Sequence, residues 1–366
     1  MFCPPDEHYV PHLFAAAVWD CFSVLLPIVY FMGESKIAFI DLFAGIGGFR
    51  LGMEANDFEC VYSSDNNKHA VEMYNANFNE DSYSDITKVD PKKIKDFDVM
   101  CGGFPCQPFS AAGLKQGFSD TRGTLFFDMI RILKEKKPKV VFLENVKNLT
   151  THDKGKTFTV IVKSLEKLGY TVSTKVLNAK DFGVPQNRER IIIVGSLEGV
   201  KFDFDKIKKF KPVKILDILD KKSDDSFVWL DKKEYTLLDA DKQKLQPSGL
   251  IFAGYLNKNQ RVIGVRPDTE HLSRVHKQPN RIYSDQGVHP TLSAQETAGR
   301  YYILTTKKDG SKGVRKLNVD EAYRLFGFPK SFKKVGASTQ QYARIGNSIC
   351  VPMVEAVALE IKNQLF

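Results

Sequence analysis

Short apolar runs alternate with amphipathic segments over residues 36–195, and this alternation restricts how the chain can fold more than any other feature. The runs at 36–41, 60–63, 97–100, 139–143, 172–177 and 191–194 predict strands, and helical spacing follows the first run and recurs at 124–136 and 156–168. Strands without polar alternation are buried on both faces, and strands that alternate with helices form a mostly parallel sheet. The sequence therefore predicts an α/β fold with a Rossmann-like doubly wound sheet.

A glycine-rich turn separates the first predicted strand from the first predicted helix. It reads Leu-Phe-Ala-Gly-Ile-Gly-Gly-Phe over residues 42–49, and such a turn presents backbone N–H groups and a helix N-terminus to a bound nucleotide. Asp65 ends the second predicted strand, where an acid can accept hydrogen bonds from the ribose hydroxyls of an adenosine; helix capping is the competing role. Arg50 stands where the dinucleotide pattern G-x-G-x-x-G needs its last glycine, which weakens the interpretation as an NAD enzyme.

Cys106 stands between two prolines, Pro105 and Pro108, after the third predicted strand. Proline fixes its own φ and restricts the residue before it, so this cysteine lies on a stiff turn. Gly102 and Gly103 remove side chains just upstream, so a ligand can approach the backbone closely. A thiol presented rigidly at the end of a strand suits nucleophilic catalysis, whereas a cysteine that only fills the core does not need these flanks.

The second half of the chain changes in composition. Residues 250–302 are rich in Gly, Pro, Asn, Arg and His with short strand-like pieces, which predicts a small β-rich domain. Asn318 followed by Glu321 forms a capping box that opens a helix. Residues 344–348 predict a turn, and Pro352 suits the first turn of a final helix.

Six segments resemble, in the same order, the motifs of the bacterial carbon-5 cytosine-specific DNA methyltransferases of restriction–modification systems. DLFAGIGGF resembles the S-adenosylmethionine loop of that family, and GGFPCQPFS resembles its nucleophile motif. ENV at 144–146 is similar to the glutamate motif, QNRERI at 186–191 to the arginine motif, Arg281 with PTLS at 290–293 to the motif that joins the target-recognition region, and GNSICVP at 346–352 to the last motif. The resemblance covers residues 36–366, and six motifs in order make it very specific.

The resemblance implies a class I S-adenosylmethionine-dependent methyltransferase with a smaller β-rich target-recognition domain. It divides the chain into an N-terminal extension (1–35), a catalytic domain (36–200), a target-recognition domain (201–340) and a C-terminal helix that returns to the catalytic domain (341–366).

The family usually carries a glutamate and an aromatic residue at the positions of Asp65 and Asn66, so the ribose and adenine contacts depart from its pattern. The expected cofactor is S-adenosyl-L-methionine, the product S-adenosyl-L-homocysteine, and no metal is expected. The expected cofactor contacts are Phe43, Ala44, Gly45, Gly47, Gly48, Asp65, Asp85, Ile86, Pro105, Asn347 and Ser348.

The chemistry that the resemblance implies assigns a role to each of four side chains. The thiolate of Cys106 attacks carbon 6 of cytosine, and the resulting enamine accepts a methyl group at carbon 5. Glu144 supplies a proton or a hydrogen bond to ring nitrogen 3. Arg190, with Arg188 beside it, stabilises charge on the oxygen at carbon 2; phosphate binding is the alternative for either arginine. By itself, ENV would favour a structural carboxylate whose hydrogen bonds are satisfied at the end of a strand, and the other motifs together favour the catalytic role.

The resemblance implies double-stranded DNA as the substrate, and a net charge of +9 with a pI near 9.0 is in keeping with a polyanionic partner. A ring carbon inside a stacked duplex is out of reach of a protein thiol, so the target base must be flipped out. The sequence would be read from residues 201–312. The expected DNA contacts are Gln107, Ser110, Arg261, Arg266, Arg274, Gln278, Arg281 and Thr291. We further expect a monomer, and a cognate restriction endonuclease that acts separately.

The resemblance implies a bacterial protein, and the cysteines predict a reducing cytoplasm. The six are scattered without a C-x-x-C pair or a histidine at metal spacing, which argues against a disulfide framework or a zinc site. Residues 15–32 are long enough to raise the question of a membrane span, but Asp20 and Pro27 interrupt them and no Lys or Arg precedes Lys36. We expect no membrane association and interpret Met32 as the natural start, with residues 1–31 upstream of it.

Two further alternatives remain at this point. A tRNA cytosine-5 methyltransferase shares the catalytic core, but such relatives carry a PPCQPFT-like motif and little recognition region, so Phe104, Ser110 and the long variable region favour DNA. An inactive DNA-binding relative would be expected to lack Cys106 or Glu144, and both are present.

Overall fold

The computed structural model describes residues 36–105, 125–221, 227–257, 269–294 and 301–366. The strands are β1 (Ala38–Leu42), β2 (Glu59–Ser64), β3 (Val99–Gly103), β4 (Val140–Val146), β5 (Thr171–Asn178), β6 (Gln186–Asn187), β7 (Glu189–Ser196), β8 (Tyr235–Leu237), β9 (Phe252–Leu256), β10 (Arg281–Ser284), β11 (His289–Pro290), β12 (Tyr302–Thr306) and β13 (Lys312–Lys316). The helices are α1 (Gly48–Glu54), α2 (Lys68–Phe78), α3 (Leu125–Lys136), α4 (Lys156–Lys167), α5 (Ile215–Ile218), α6 (Val319–Arg324), α7 (Ser338–Asn347) and α8 (Val351–Leu365).

The larger sheet has six strands in the order β2-β1-β3-β4-β7-β5. β1 pairs in parallel with β2 and with β3, and β3 pairs in parallel with β4. β7 is antiparallel to both of its neighbours, β4 and β5. Each strand that the apolar runs predict is present, and the doubly wound α/β fold is confirmed.

Helices cover both faces of this sheet, which explains why its strands are apolar without interruption. On one face, residues such as Phe39 and Phe142 pack with α1 and α8 through Phe49 and Val357. On the other face, alternate strand residues pack against α3 and α4. Successive strand side chains point to opposite faces, so two cores are built from the same strands. At about 25 cal/mol per Å² of apolar area removed from water, these two cores provide the main favourable term for folding.

A second sheet of five strands, in the order β13-β12-β10-β9-β8, lies within residues 235–316. Its core includes Tyr235, Ala253, Ile282 and Val314. The composition of residues 250–302 therefore predicts the β-rich character correctly. How the chain divides into domains stays a prediction.

A buried ion pair joins this second sheet to helix α6. Arg315 donates two hydrogen bonds of 2.7 Å to Glu321, whose side chain is fully buried. The predicted capping box is present as well, because the side chain of Asn318 accepts from the backbone of Glu321 and the reverse bond also forms. A buried pair of this kind is costly to break singly, because the remaining charge loses its partner.

The turn predicted at residues 344–348 is wrong, because α7 continues to Asn347 and Ser348 follows it as the C-cap. Gly346 lies inside the helix for a packing reason. A Cβ atom there would be 2.4 Å from the carbonyl oxygen of Ser293, so only glycine allows this contact. The glycine thus indicates a close approach of two segments, which sequence alone does not distinguish from a turn.

Within the ranges that the structure describes, no helix combines the length and the apolar character that a membrane crossing requires. Residues 15–32 and Met32, on which the predictions about a membrane span and a natural start depend, lie outside those ranges.

His289 gives the stability of this fold a dependence on pH. Nδ1 of His289 donates to the carbonyl oxygen of Pro290 at 2.6 Å, and Nε2 is buried without a partner in the described part of the chain. Burial lowers the pKa of His289 to about 4 from an ordinary value of 6.5. Between pH 6.5 and pH 4, the histidine is protonated in the unfolded state but stays neutral in the folded state, so the free energy of unfolding falls as pH falls.

We expect this term to remove about 2 kcal/mol of stability between pH 7 and pH 5. Urea unfolding at both pH values measures it in the wild type, in His289→Gln and in a control, His271→Gln, whose histidine is exposed. The first variant should lose most of this pH dependence whatever its absolute stability, and the control should keep it. Equal slopes for wild type and His289→Gln would contradict the prediction.

Candidate active site

A cleft of about 460 Å³ opens where the parallel strands β1, β3 and β4 end. The glycine loop, the residues after β3, the end of β4 and the junction of α7 with α8 form its walls. In open α/β sheets ligands bind at this carboxyl edge. The predicted site residues that line the cleft are Phe43, Ala44, Gly45, Gly48, Asp65, Pro105, Glu144, Arg188, Arg190, Asn347 and Ser348.

Asp65 holds the glycine loop and the start of α2 together. Its Oδ2 accepts from the backbone N–H of Gly45 at 2.9 Å, and its Oδ1 accepts from that of Asn67 at 2.7 Å. Asn67 is the N-cap of α2, since its side chain accepts from the N–H of Ala70, so the capping alternative for Asp65 is wrong. Carboxylate oxygens have further lone pairs, and Asp65 retains the capacity to accept a ribose hydroxyl.

The junction between α7 and α8 packs directly on the glycine loop. A Cβ atom at Gly48 would be 2.8 Å from Oγ of Ser348 and 2.9 Å from the side chain of Ile349. Glycine at this position therefore brings residues from the far end of the chain to the start of α1. Asn347 and Ser348 line the cleft because of this contact.

Glu144 and Arg190 form an ion pair inside the cleft. Nε of Arg190 lies 2.7 Å from Oε1 of Glu144, and the two side chains are 11% and 14% exposed. β4 and β7 are neighbouring antiparallel strands in which Arg190 lies opposite Val146, so Arg190 and Glu144 lie diagonally, two positions apart on the same face of the sheet. Gly103, on β3, faces the other oxygen: a Cβ atom there would be 3.2 Å from Oε2. The carboxylate is thus held on one side and open on the side where β3 leads towards Pro105.

Asn145, which the sequence analysis did not single out, fixes the backbone beside this pair. Its Nδ2 donates to the carbonyl oxygen of Phe104 at 2.7 Å, and its Oδ1 accepts from the N–H of Val146 at 2.9 Å. The side chain is 4% exposed, so these bonds replace water that the amide has lost. A polar residue at the end of an apolar strand was the signal that could have identified it.

Arg188 lies on the wall of the cleft with its terminal nitrogens already used. Nη1 donates to the carbonyl oxygen of Leu292 at 3.0 Å, and Nη2 donates to those of Gly346 and Ser348 at 3.1 and 2.8 Å. The guanidinium also lies over the ring of Phe326. Burial, reinforced by the positive charge of Arg190, lowers the pKa of Arg188. The geometry does not favour the catalytic role predicted for Arg188, because its hydrogen bonds join three segments of the fold.

Several predicted cofactor contacts do not line the cleft. Gly47 packs against the ring of Phe78. Asp85 accepts hydrogen bonds from the backbone and the hydroxyl of Thr87 and caps a short 3₁₀ turn. Ile86 is buried in the core of the α3 face.

The predicted DNA contacts are dispersed. Thr291 lines a second cavity of about 440 Å³ that shares Val146, Arg188, Arg190, Gly346 and Asn347 with the first. Arg274 and Gln278 are exposed, and Nε of Arg281 donates to the carbonyl oxygen of His276. Four further predicted DNA contacts lie outside the described residues, and so does the predicted nucleophile, Cys106. The four are Gln107, Ser110, Arg261 and Arg266.

A fully buried carboxyl group lies at the end of β1, directly before the glycine loop. Asp41, at the end of β1, is fully buried, and neither carboxyl oxygen has a hydrogen-bond partner within the described ranges. Burial raises the pKa of Asp41 to about 8, with smaller contributions from Asp65 and Glu80, while Arg50 opposes the rise. Arg50 pairs with Glu54 and Glu80, so the residue that breaks the dinucleotide pattern has a structural function here.

Across the described part of the chain, no group of three or more His, Cys, Asp or Glu could hold a metal ion.

The sheet, the glycine loop and the cleft at the strand ends define a class I methyltransferase. The chain belongs to the C-5 cytosine-specific DNA methylase family, whose model matches residues 37–363. It is therefore a DNA (cytosine-5-)-methyltransferase, and members of this family depend on S-adenosylmethionine in general.

Curated relatives agree with this assignment, and a solved structure agrees with the fold. The Type II methyltransferase M.HhaI of Haemophilus parahaemolyticus is 40% identical over 334 residues, which cover 90% of this chain and 95% of the relative. M.HaeII of Haemophilus aegyptius, also a Type II methyltransferase, is 43% identical over 327 residues, covering 89% and 93%. The crystal structure of Spodoptera frugiperda DNMT2 is similar in fold, with a TM-score of 0.64 at 18% identity, and covers 89% of this chain and 100% of that one.

Proposed function

We propose that this enzyme methylates carbon 5 of a flipped-out cytosine in a short double-stranded DNA site, through a covalent bond between Cys106 and carbon 6. The observation that carries the proposal is the Glu144–Arg190 pair, which lies at the cleft edge where β3 leads through Gly103 and Pro105 towards Cys106. A cytosine ring over Gly103 would meet a carboxyl group and a guanidinium on the same side. Those two groups are what protonation of nitrogen 3 and neutralisation of the carbon 2 oxygen require.

S-adenosylmethionine is proposed to bind along the glycine loop. The residues that fit it are Asp65 for the ribose, the backbone from Phe43 to Gly45, and Asn347 with Ser348 across the cleft. When bound, the cofactor supplies the methyl group as an electrophile. The protein orients it and excludes water, and it holds the target ring at the thiol.

The roles of the two arginines divide in this proposal. Arg190 is proposed to contact the substrate, because its guanidinium lies in the cleft next to the carboxylate of Glu144. Arg188 positions the site by holding the carbonyl groups of Leu292, Gly346 and Ser348. Asn145 acts similarly on Phe104, two residues before Cys106.

Sequence choice is proposed to come from residues 201–312, and Gln107 and Ser110 are proposed to contact the DNA. A flipped cytosine looks the same whatever its neighbours, so the pocket itself cannot select the site. Side chains that read base edges in the stacked flanks must do so, at about 1–3 kcal/mol for each good bidentate pair. The Type II names of the relatives support a further proposal, that this enzyme protects DNA from a separate endonuclease. We also propose that it works as a monomer in a bacterial cytoplasm.

Incubation of plasmid DNA with the purified enzyme and S-adenosylmethionine, followed by bisulfite sequencing, tests the proposed function. We expect conversion-resistant cytosines at one recurring short sequence and none in a reaction without cofactor. Methylation at every cytosine would contradict site recognition. Methylation of tRNA but not of DNA would reject DNA as the substrate.

A further inference from the structure

Arg344 is the one arginine on the cleft wall whose charge is not matched by any group that the structure describes. Three arginines line the cleft. Arg188 donates to three carbonyl oxygens, and Arg190 pairs with Glu144. Arg344 makes no ion pair or hydrogen bond with a described residue, and its Nε is buried without a partner. A partly buried guanidinium without an acceptor is costly, which indicates that a ligand supplies one.

The position of Arg344 indicates which ligand that is. It lies in the last turn of α7, three residues before Asn347, where the α7–α8 junction packs on the glycine loop. It lines the cleft together with Ala44, Gly45 and Ile46. It does not line the adjoining cavity, whose walls include Thr291 and Ser293 from the predicted target-recognition domain. The guanidinium therefore belongs to the cofactor side of the site.

We propose that Arg344 binds the α-carboxylate of the S-adenosylmethionine amino-acid group. This inference rests on the proposed cofactor. Adenine and ribose carry no charge, and the sulfonium and the amine would be repelled by arginine, so the carboxylate is the anionic group that fits. In the proposed binding mode Asp65, which holds the glycine loop, binds the ribose, and this leaves the amino-acid end for the α7–α8 junction. Guanidinium and carboxylate form strong charge-assisted hydrogen bonds with defined geometry.

The test compares two ligands that differ by one carboxylate. S-adenosylhomocysteine and its decarboxylated form share the nucleoside, the thioether and the amine. Isothermal titration would measure both dissociation constants for the wild type, Arg344→Gln, Arg344→Lys and the control Lys330→Gln, whose lysine is exposed on the surface. We expect Arg344→Gln to weaken S-adenosylhomocysteine about tenfold and the decarboxylated form less than twofold. Arg344→Lys should retain most of the affinity, and Lys330→Gln all of it.

Each other outcome has a separate meaning. Equal weakening of both ligands by Arg344→Gln would overturn the proposal and assign the residue to the nucleoside or to the fold, which thermal unfolding of the variant would then distinguish. Unchanged ligand binding with weaker DNA binding and a flatter salt dependence would overturn it in favour of a phosphate contact. A wild type that binds neither ligand would reject the proposed cofactor itself.

Discussion

Cys106→Ser is expected to abolish methyl transfer while S-adenosylmethionine still binds. A serine hydroxyl is a far weaker nucleophile near neutral pH than a cysteine thiolate, so the covalent step is lost. The glycine loop, Asp65 and the α7–α8 junction belong to other segments of the chain, so cofactor affinity should stay within about twofold of the wild type. Transfer of a tritiated methyl group to plasmid DNA measures the first effect, and titration with S-adenosylhomocysteine measures the second.

A trapping experiment tests the same residue by detecting the covalent intermediate itself. DNA that carries 5-fluorocytosine at the target cannot lose a proton from carbon 5 after methylation, so the wild type should remain bound through Cys106 in a denaturation-resistant adduct. Cys350→Ser is a matched control, because that thiol is fully buried in the core and burial raises its pKa to about 12. Trapping of the Cys106→Ser variant, or methylation by it at a near-normal rate, would reject the covalent mechanism.

The strands and the positions of the cleft residues could be predicted because they depend on local pattern. Apolar runs without polar alternation indicate strands buried on both faces. In the structure α8 packs on one face of the sheet and α3 on the other. Functional residues that follow such strands gather at one edge of the sheet, as Asp65 and Glu144 do. The family resemblance then supplied the chemistry of that edge.

What the sequence did not reveal depends on partners far along the chain. Arg188 and Arg190 are two residues apart and look alike, but one donates to carbonyl groups of Leu292, Gly346 and Ser348 while the other pairs with Glu144. The insertion of β7 between β4 and β5 creates that difference, and no local pattern specifies strand order. Gly346 was mistaken for a turn for a similar reason, since its contact with Ser293 is long-range.

Glu144→Gln is expected to slow the chemical step by about a hundredfold or more, the usual range for a positioned general acid. The amide preserves the shape of the side chain, but it has no proton to give to nitrogen 3, and it leaves Arg190 without its carboxylate partner. The loss should therefore appear in kcat under saturating DNA and cofactor, with DNA affinity changed by less than about threefold. Single-turnover methylation measures the step directly, and gel-shift titration measures affinity.

Two matched variants make the interpretation of Glu144 specific. Glu166→Gln removes an exposed carboxylate from α4 and should leave the rate unchanged. Arg190→Gln removes the other half of the pair, and it should also slow the chemical step because charge on the carbon 2 oxygen is no longer neutralised. Since Glu144 and Arg190 are in contact, the double variant should lose less than the product of the two single losses. Fully multiplicative losses would show that the two residues act independently, and a defect confined to DNA binding would make Glu144 a structural carboxylate at the end of β4.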